Sequence, residues 1–372
     1  MERLSEKEWK VFSAFGENGL LHIATTSSSI DGIKLKGGTT KQVPYVTRSD
    51  VNNGIARFVS DSNYEFGSDD AGCITVGLDT QTAFYQPHKF VTGQNIQVIT
   101  GEQLNEATAQ FLVTTLKEQM RAKFNWGGNG ATLGRMKHLE VMLPVDNKGD
   151  PDYAYMTLYS TEVRCGMLMK YKNFIAGRLS QLEHKDIPAL DEKEWKKFKA
   201  LGDDGIFDIA TTSSSIDGIR LKDGQKKNLP YVTRTDNSNG IAYFVSSENL
   251  FYGYDPAGCI TVGLDTQTAF WQPHDFVTGQ NIQVISGNKL NQYLAQFIVP
   301  LLRSQMTAKF NWGGNGATLG RMKHLEIMLP VSDDGKPDYE YMEQYAKNMM
   351  LRKYEQYLAF IDRQSSAEEV NV

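Results

Sequence analysis

Between residues 123 and 138 the chain has a glycine-rich segment whose residue types suit ligand binding, KFNWGGNGATLGRMKH. It contains four glycines, one tryptophan, two asparagines, four side chains that can be cationic, and no acid. A glycine-rich loop lets the backbone come close to a ligand, and its N–H groups can contact phosphate. Asparagine can bond adenine through two atoms, and arginine can do the same to guanine. A glycine-rich turn whose tryptophan fills the core is the other interpretation, and the local positive charge favours nucleic acid for part of the loop.

A second basic stretch follows a turn rich in serine and threonine at residues 25–29, whose hydroxyls could bond phosphate oxygens. Its cations in the first half of the chain are Lys34, Lys36, Lys41 and Arg48, with no acid among them. The second half of the chain has one acid in this stretch, Asp223, and the cations Arg220, Lys222, Lys226, Lys227 and Arg234. An ordinary solvated loop fits this stretch equally well.

The net charge of −5 does not by itself indicate a nucleic-acid partner. Phosphate contact depends on local rather than global positive charge, however. The acidic residues are concentrated elsewhere, at 61–70, 146–152 and 186–208. Each half of the chain therefore has about four to six candidate phosphate neutralisers, which predicts a salt slope of roughly −4 to −5 for each half.

Sequence motifs of catalysis are absent. The chain lacks the G-x-x-x-x-G-K-[ST] loop, the G-x-G-x-x-G fingerprint, the G-x-S-x-G elbow, the H-E-x-x-H helix and the Asn-Pro-Pro-Tyr motif of amino-methyltransferases. Four of the six histidines are two single residues and their copies in the second half, which favours structural or surface roles over metal binding: His88, His138, His274 and His324. A hydrolase using lone carboxylates is a weak alternative, with the candidates Asp79, Glu140, Asp265 and Glu326. We predict a chain without catalytic residues, bound cofactor or metal.

The chain is an internal duplication of one whole domain. The segment from Thr25 to Gly32 recurs from Thr211 to Gly218, and Lys123 to Glu140 recurs unchanged 186 residues later. The match runs without insertion from residue 8 to 156, far longer than the period of solenoid repeats. Two of the three cysteines, Cys73 and Cys259, are equivalent, and we predict that both are buried small apolar residues rather than disulfide partners.

Each copy predicts a globular unit of mixed α and β structure. Short apolar or β-branched runs predict strands at 20–25, 45–47, 55–59, 73–76, 95–99 and 139–143. Helical spacing of apolar residues predicts one helix over 105–122, and two helical turns over 6–15. The fold class is α+β, with two near-identical mixed α/β domains separated by long helices.

A helix is predicted after each globular unit, where the register of the repeat slips by three residues. The apolar stripes step by three and four residues and consist of Leu168, Tyr171 and Ile175 in the first copy and Met350, Tyr354, Tyr357 and Ile361 in the second. Such a stripe is typical of a helix that packs on another helix, and two equivalent helices favour antiparallel pairing as a coiled coil. A surface helix packed on its own domain is the alternative. The predicted division is domain 1–152, helix 153–186, domain 187–338, and helix with tail 339–372.

The order domain, helix, domain, helix resembles the specificity (S) subunit of Type I restriction–modification systems and of the related Type IIB enzymes. The blocks Tyr45–Arg48, Gly77–Phe84, Gly93–Val98 and Lys123–Pro144 resemble the target-recognition domains of those subunits. The apolar segment from Val141 to Val145 resembles the run that closes such a domain before its spacer helix. The resemblance covers essentially the whole chain.

The resemblance implies that each globular unit reads half of a split target in double-stranded DNA. The paired helices would set the gap between the halves and would dock two DNA methyltransferase subunits that bind S-adenosylmethionine and modify adenine. A restriction nuclease or translocase subunit would complete the assembly. The expected location is the cytoplasm, because the polar start of the chain has no signal-peptide core and no apolar run is long enough to span a membrane.

The candidate DNA-contacting residues come from the two basic stretches and from the blocks that carry the resemblance. In the first copy they are Ser27, Ser28, Lys36, Tyr45, Arg48, Lys123, Asn125, Trp126, Asn129, Arg135 and Lys137. In the second copy they are Ser213, Ser214, Lys222, Tyr231, Arg234, Lys309, Asn311, Trp312, Asn315, Arg321 and Lys323. An alternative function, a tandem carbohydrate- or peptide-binding module, would use Trp126 and Trp312 as stacking platforms.

The near-identity of the two domains departs from the resemblance, because the domains within one S subunit usually differ widely. If like residues read like bases, the two units favour near-identical half-sites in inverted orientation, and we predict a near-palindromic bipartite target. The copies differ mainly at 33–43, 57, 61–70 and 104–108, as in Arg57 against Tyr243. A base that differs between the half-sites is expected to depend on one of these positions, although surface drift explains them as well.

Overall fold

The computed structural model describes residues 3–124, 131–310 and 316–369, the last six by their backbone alone. It divides into two compact units between Tyr171 and Lys172. Each unit contains one copy of the repeat, with the same elements in the same order. The mixed α/β character predicted for the globular unit is confirmed.

The strands and helices of the first copy are β1 (Trp9–Ser13), β2 (His22–Thr25), β3 (Val43–Val46), β4 (Ile55–Val59), β5 (Cys73–Gly77), β6 (Thr82–Gln86), β7 (Val91–Thr92), β8 (Ile96–Thr100), α1 (Glu106–Lys123), α2 (Leu133–Met136), β9 (Glu140–Pro144) and α3 (Tyr153–Leu179). Those of the second copy are β10 (Trp195–Lys199), β11 (Asp208–Thr211), β12 (Lys227–Val232), β13 (Ile241–Ser246), β14 (Cys259–Gly263), β15 (Thr268–Gln272), β16 (Val277–Thr278), β17 (Ile282–Ser286), α4 (Gln292–Lys309), α5 (Leu319–Met322), β18 (Glu326–Pro330) and α6 (Tyr339–Glu369).

Three small sheets form the frame of each globular unit. In the first unit an antiparallel sheet has the order β2-β8-β5-β6, and a second sheet, β4-β3-β7, includes one parallel pair, β3 with β7. The third sheet is the pair of β1 and β9. The second unit repeats all three sheets.

The largest core of the first unit lies between α1 and the four-stranded sheet. Apolar residues three or four positions apart place Ala109, Leu112, Leu116 and Met120 on one buried face of α1. Burial of one such leucine contributes about 1.5–3 kcal/mol to folding. The helix begins at a capping box in which Asn105 accepts a hydrogen bond from an N–H of the first turn.

All six predicted strands are present with shifts of one or two residues at their ends, and the predicted helix over 105–122 is α1. Strands β6 and β7 were not predicted, because β6 follows a four-residue turn and β7 is only two residues long. Cys73 and Cys259 are buried as predicted, and burial raises the pKa of each thiol to about 12. The third cysteine, Cys165, is exposed.

The prediction of two helical turns over 6–15 is wrong. Residues Trp9 to Ser13 form β1, which pairs antiparallel with β9 in the register Trp9 with Pro144 through Ser13 with Glu140. Apolar residues three apart, Trp9 and Phe12, imitate a helical pattern over so short a segment. The partner strand lies more than 120 residues away in the chain, so local spacing could not reveal the pairing.

The first turns of each long helix pack on the domain that precedes the helix. The Tyr159 ring of α3 meets Phe111 of α1 edge to face at 5.8 Å, and the Tyr345 ring of α6 meets Phe297 of α4 at 5.6 Å. This packing agrees with the alternative interpretation, in which each helix is a surface helix packed on its own domain. Met350 and Tyr354, predicted to pair with the other helix, line an apolar groove of about 560 Å³ together with residues of α4.

Within the second unit, residues 172–188 run antiparallel to α6. The Lys172 Nζ lies 2.6 Å from the Asp362 Oδ1, and the Asn348 Nδ2 donates to the Lys185 carbonyl at 2.7 Å. The predicted pairing residues Ile175 and Ile361 are both buried here. Of the other stripe residues, Leu168 is half-buried, whereas Tyr171 and Tyr357 are each about two-fifths exposed. Continuous coiled-coil pairing of the two helices stays a prediction.

No described helix has both the length and the apolar character that crossing a bilayer requires.

The junction between the globular unit and α3 depends on one polar cluster. The Lys7 Nζ donates to the Asp152 Oδ2 at 2.8 Å, and the Asp152 Oδ1 accepts from the Tyr155 N–H at 2.9 Å. Burial would raise the pKa of Asp152, but the bonds from Lys7 and Tyr155 and the charge of Lys7 hold that pKa below its usual value. Lys193, Asp338 and Tyr341 repeat the cluster in the second unit.

Replacing the carboxylate of this cluster is predicted to destabilise the first unit. Asp152→Ala removes the helix cap and the carboxylate that pairs with Lys7, so urea denaturation should show a loss of about 1–3 kcal/mol. Asp150→Ala, an exposed carboxylate in the same loop, is the matched control and should change stability by less than about 0.5 kcal/mol. Equal effects of the two variants would contradict the proposed role of the cluster.

The difference in folding stability between Asp152→Ala and the wild type should shrink at acid pH. Because the folded pKa of Asp152 is lowered, its contribution is present above the ordinary carboxyl pKa of about 4 and disappears as the pH falls through the lower folded value. The stability difference between wild type and Asp152→Ala should therefore be constant from about pH 5 upward and should shrink below about pH 4.

Candidate nucleic-acid interface

One turn joins the two basic stretches of the first unit. Arg48, just after β3, donates from Nη1 to the Asp79 Oδ2 at 2.6 Å, and Asn95 donates from Nδ2 to the same oxygen at 3.0 Å. Two residues after Asp79 in the same turn, the Gln81 Nε2 donates to the carbonyl of Phe124 at 3.0 Å. The turn between β5 and β6 therefore holds Arg48 and the start of the glycine-rich segment together.

The carboxylate of Asp79 positions Arg48. The hydrogen bonds from Arg48 and then from Asn95 hold the pKa of Asp79 below its ordinary value. Because both side chains are more than a third exposed, the pair adds little stability, but it orients the guanidinium and leaves its other N–H groups available. A carboxylate kept ionised in this way cannot act as a general acid near neutral pH, which weakens the hydrolase alternative. Arg234, Asp265 and Asn281 form the same cluster in the second unit.

The described ends of the glycine-rich segment present several cations. The Lys123 Nζ, at the end of α1, donates to the His138 carbonyl at 2.7 Å and so ties the two ends of the segment together. Thr132 caps the short helix α2 by accepting from the Arg135 N–H at 3.2 Å. Arg135 and Lys137 are exposed, and Lys137 forms no ion pair with any residue that the structure describes.

The second copy has the equivalent cations Arg321, Lys323 and Lys309. Arg321 donates from Nη1 to the Gly316 carbonyl at 2.7 Å, and the Lys323 Nζ lies 4.0 Å from the Asp203 Oδ1. Asp203 is almost fully exposed, so this contact is weak and leaves Lys323 able to meet phosphate. Lys309 ends α4 as Lys123 ends α1.

Six predicted contact residues lie outside the described residues: Asn125, Trp126, Asn129, Asn311, Trp312 and Asn315. The alternative of a tandem carbohydrate- or peptide-binding module depends on two of them, the tryptophans.

The serine hydroxyls predicted to meet phosphate are occupied inside the first unit. The Ser27 Oγ donates to the Asp69 carboxylate at 3.1 Å. Thr92 gives its hydroxyl proton to Thr26 at 2.8 Å, so the 3.2 Å contact between Ser28 and Thr92 uses the proton of Ser28. Phosphate oxygens accept but do not donate, so neither serine has a proton left for them. These internal bonds weigh against phosphate contact by both serines and by Ser213 and Ser214, which repeat the arrangement, and the contact stays a prediction.

The predicted contact by Tyr45 is corrected, because its side chain belongs to the core of the three-stranded sheet. It is only 5% exposed, and its hydroxyl donates to the Ile30 carbonyl at 2.8 Å. Burial raises the pKa of this phenol, against an opposing effect of nearby Arg57. Tyr231 is equally buried and donates to the Ile216 carbonyl at 2.8 Å.

The two copies differ at the lysine of the second basic stretch. Lys36 forms an ion pair with Glu65 in the first unit. In the second unit the residue equivalent to Glu65 is Phe251, and the Lys222 Nζ lies 3.9 Å from its ring centre and 5.5 Å from that of Tyr252. The positive charge at this position is therefore neutralised by an acid in the first unit but lies on aromatic surface in the second.

The sequence analysis missed the residues that position the cations. Gln81 and Asn95 both have positive φ, near +54° and +61°, which fixes the turns that carry their amide groups. Their role depends on partners in distant segments, so no local motif indicates it. The available signal was that both occur unchanged in the second copy, as Gln267 and Asn281.

Among the described residues, no group of three or more His, Cys, Asp and Glu side chains could hold a metal ion.

Comparison with known proteins gives a consistent family match. The family model described as the Type I restriction modification DNA specificity domain matches this chain twice, at residues 7–163 and 192–357. Each match covers one globular unit and the beginning of the long helix that follows it. The two matches together cover most of the chain.

A curated relative is the Type II restriction enzyme BgcI specificity subunit S.BcgI from Heyndrickxia coagulans, 27% identical over 326 residues. The aligned part covers 86% of this chain and 89% of the relative. Among solved structures, the S subunit of a Type I restriction-modification system from M. genitalium is 11% identical, with a TM-score of 0.42 and coverage of 99% and 95%. The HsdS subunit from Thermoanaerobacter tengcongensis is 11% identical, with a TM-score of 0.29 and coverage of 87% and 85%.

Removing the hydroxyl of Ser28 is predicted to affect stability rather than DNA binding. Ser28→Ala breaks its bond to Thr92, and urea denaturation should show a loss of about 1 kcal/mol. Affinity for duplex DNA, measured on the folded protein, should not change. The control Thr39→Ala removes an exposed hydroxyl and should change neither quantity. A lower affinity with unchanged stability would support the phosphate contact predicted from the sequence.

Proposed function

The chain belongs to the family of Type I restriction modification DNA specificity domains, and from that membership we propose that each globular unit recognises one half of a bipartite DNA target. The observation that carries the proposal is the double match, which assigns one specificity domain to each copy of the repeat. As a specificity subunit, the chain is a non-catalytic component of a restriction–modification complex. Its own contribution is recognition of the DNA.

The surface around the turn between β5 and β6 supports DNA binding by each unit. Arg48 is oriented there by Asp79, and the exposed cations Arg135 and Lys137 lie near the end of the glycine-rich segment that the same turn anchors. Phosphate contacts of this kind fix the position of a protein on the duplex, whereas groups that reach the base edges read the sequence. We propose that Arg48 and Lys137, with Arg234 and Lys323, make phosphate contacts.

The long helices supply the second part of the proposal. We infer that the chain divides into domain 1–152, helix 153–186, domain 187–338 and helix with tail 339–372, and that the helices pair antiparallel and set the gap between the half-sites. Helices α3 and α6 begin at Tyr153 and Tyr339, and residues 172–188 lie antiparallel to α6 within the second unit. Both observations support this arrangement.

The partners follow from the role of a specificity subunit. We propose that the chain directs two DNA methyltransferase subunits, which would bind S-adenosylmethionine, and a nuclease or translocase subunit to the target. The chain itself would bind no cofactor. Such a complex works on the DNA of the cell, and we propose the cytoplasm as its location.

The target is predicted to be near-palindromic, because the residues around the candidate interface are almost the same in the two copies. Sequencing of the methylated positions in the genome of cells that express the complex should give two nearly identical half-sites in inverted orientation. Two unrelated half-sequences would contradict this prediction. If the half-sites differ at one base, Arg57→Tyr should make them more alike, because position 243 is already tyrosine.

Lys137→Ala is predicted to weaken binding to every duplex by the same factor. A phosphate contact carries no sequence information, so removing it should reduce the salt slope by about 1 without changing the preferred target. Titration of specific and unrelated duplexes at two salt concentrations measures both quantities. Lys148→Ala, a cation in the acidic stretch 146–152, is the control and should leave affinity unchanged. A change of preferred base in Lys137→Ala would identify Lys137 as a base-reading residue instead.

A further inference from the structure

The two most exposed large apolar side chains of the described residues occupy the same position in the two copies. Ile33 is 88% exposed and Ile219 is 89% exposed. Each lies in a short 3-10 turn, Gly32–Lys34 in the first unit and Gly218–Arg220 in the second. One exposed apolar side chain needs no explanation, so the setting of these turns has to decide whether they have a role.

The turn that carries Ile33 is held in place by hydrogen bonds and by the buried residue that precedes it. The Asp31 Oδ1 accepts from the Ile33 N–H at 3.2 Å, and the Asp31 carbonyl accepts from the Lys34 N–H at 2.9 Å. The preceding residue, Ile30, is buried, and its carbonyl accepts the Tyr45 hydroxyl at 2.8 Å. The side chain of Ile33 therefore stands on a fixed support, and little freedom of the turn is lost when a ligand binds it.

The surroundings of this turn are cationic in the first unit. Lys34 follows Ile33 directly, and the Arg57 Nη2 lies 3.3 Å from the point that a Cβ on Gly32 would occupy. The guanidinium of Arg57 lies over the Tyr45 ring at 5.9 Å, which holds it beside the turn. The one acid of the turn, Asp31, is bonded to the backbone. An apolar tip beside cations suits a ligand with anionic edges and apolar faces, and duplex DNA has both.

The second unit keeps the apolar tip although its neighbours change. The Asp217 Oδ1 accepts from the Ile219 N–H at 3.3 Å, and Arg220 replaces Lys34. Tyr243 replaces Arg57, with its hydroxyl 3.6 Å from the point that a Cβ on Gly218 would occupy. The isoleucine stays while the residues beside it differ. Folding gives no reason for this, because so exposed a side chain packs on little of its own domain.

We propose that Ile33 and Ile219 enter a groove of the bound duplex and make the apolar base contact of each half-site. Apolar side chains contact DNA bases in two known ways, at the methyl group of thymine in the major groove or between two base pairs as a wedge. Both use the same apolar chemistry, and the residues act as specificity determinants. The inference rests on the proposed DNA-recognition function and adds to it a contact that carries sequence information.

The test compares the full-length double variant Ile33→Ser/Ile219→Ser with the wild type. The probes are a duplex carrying the target and an unrelated duplex of equal length, each titrated at two salt concentrations. We expect affinity for the target to fall by a factor on the order of 10 or more, because the apolar contact is lost. Affinity for the unrelated duplex and the salt slope should stay unchanged, because no cation is removed.

Two matched variants keep the result interpretable. Val11→Ser replaces an apolar residue that is 58% exposed but lies on β1, outside both basic stretches, and should leave all affinities unchanged. Ile33→Val/Ile219→Val keeps the apolar character of the tip and should retain most of the affinity. A retained melting temperature in the serine variant shows that the loss is not caused by unfolding.

Modified duplexes distinguish the two kinds of contact. Uracil in place of thymine should weaken wild-type binding and leave the serine variant unaffected if the isoleucine meets a methyl group. A rise in 2-aminopurine fluorescence with the wild type but not the variant would identify a wedge instead. Either result supports the proposal.

Unchanged target affinity of the serine variant, with the wild type still preferring its target, would overturn this inference and leave the proposed function intact. A wild-type chain, purified with its partner subunits, that binds all duplexes equally would remove the proposed function and the inference with it.

Discussion

The pairing of the first strand of each domain with its last strand is the constraint on which the rest of the structure depends. Strand β1 lies antiparallel to β9, and the next polar cluster beyond it joins Lys7 to Asp152 at the first turn of α3. The beginning and the end of the domain are therefore fixed side by side. Because the helix starts from that point, the same contacts that close the domain also determine where the helix leaves it.

The second unit shows that this constraint is a property of the repeat. Lys193, Asp338 and Tyr341 reproduce the cluster, and β10 pairs with β18 in the equivalent register. If the helices set the spacing between two recognition sites, as we propose, each helix needs a fixed direction relative to its own domain. An ion pair of low exposure combined with a helix cap favours such a direction, because one carboxylate binds both the lysine of the domain and the first turn of the helix.

Internal contacts, rather than the number of lysines and arginines, determine which positive charges of this acidic chain are available to a ligand. Asp79 orients Arg48, Asp69 occupies the hydroxyl of Ser27, and Glu65 neutralises Lys36, so three acids determine which groups a ligand can meet. The cationic surface available for the proposed DNA binding is consequently smaller than the number of lysines and arginines indicates. The replacement of Glu65 by Phe251 changes that surface between the copies without changing the fold.

The sequence alone determined the duplication, the mixed α/β class, the six predicted strands, the helix α1 and the family, because each depends on local periodicity or on a repeated pattern of residues. It could not determine the contacts between distant segments, and the predictions that failed depend on such contacts. Strand β1 resembled a helix because its partner is far along the chain. Ser27, Ser28 and Tyr45 had side chains suited to DNA, but the tertiary structure occupies or buries them. Hydrogen bonding and burial depend on which segments meet in space, so only the tertiary structure could decide that Lys137 remains exposed and that Ile33 extends from a rigid turn.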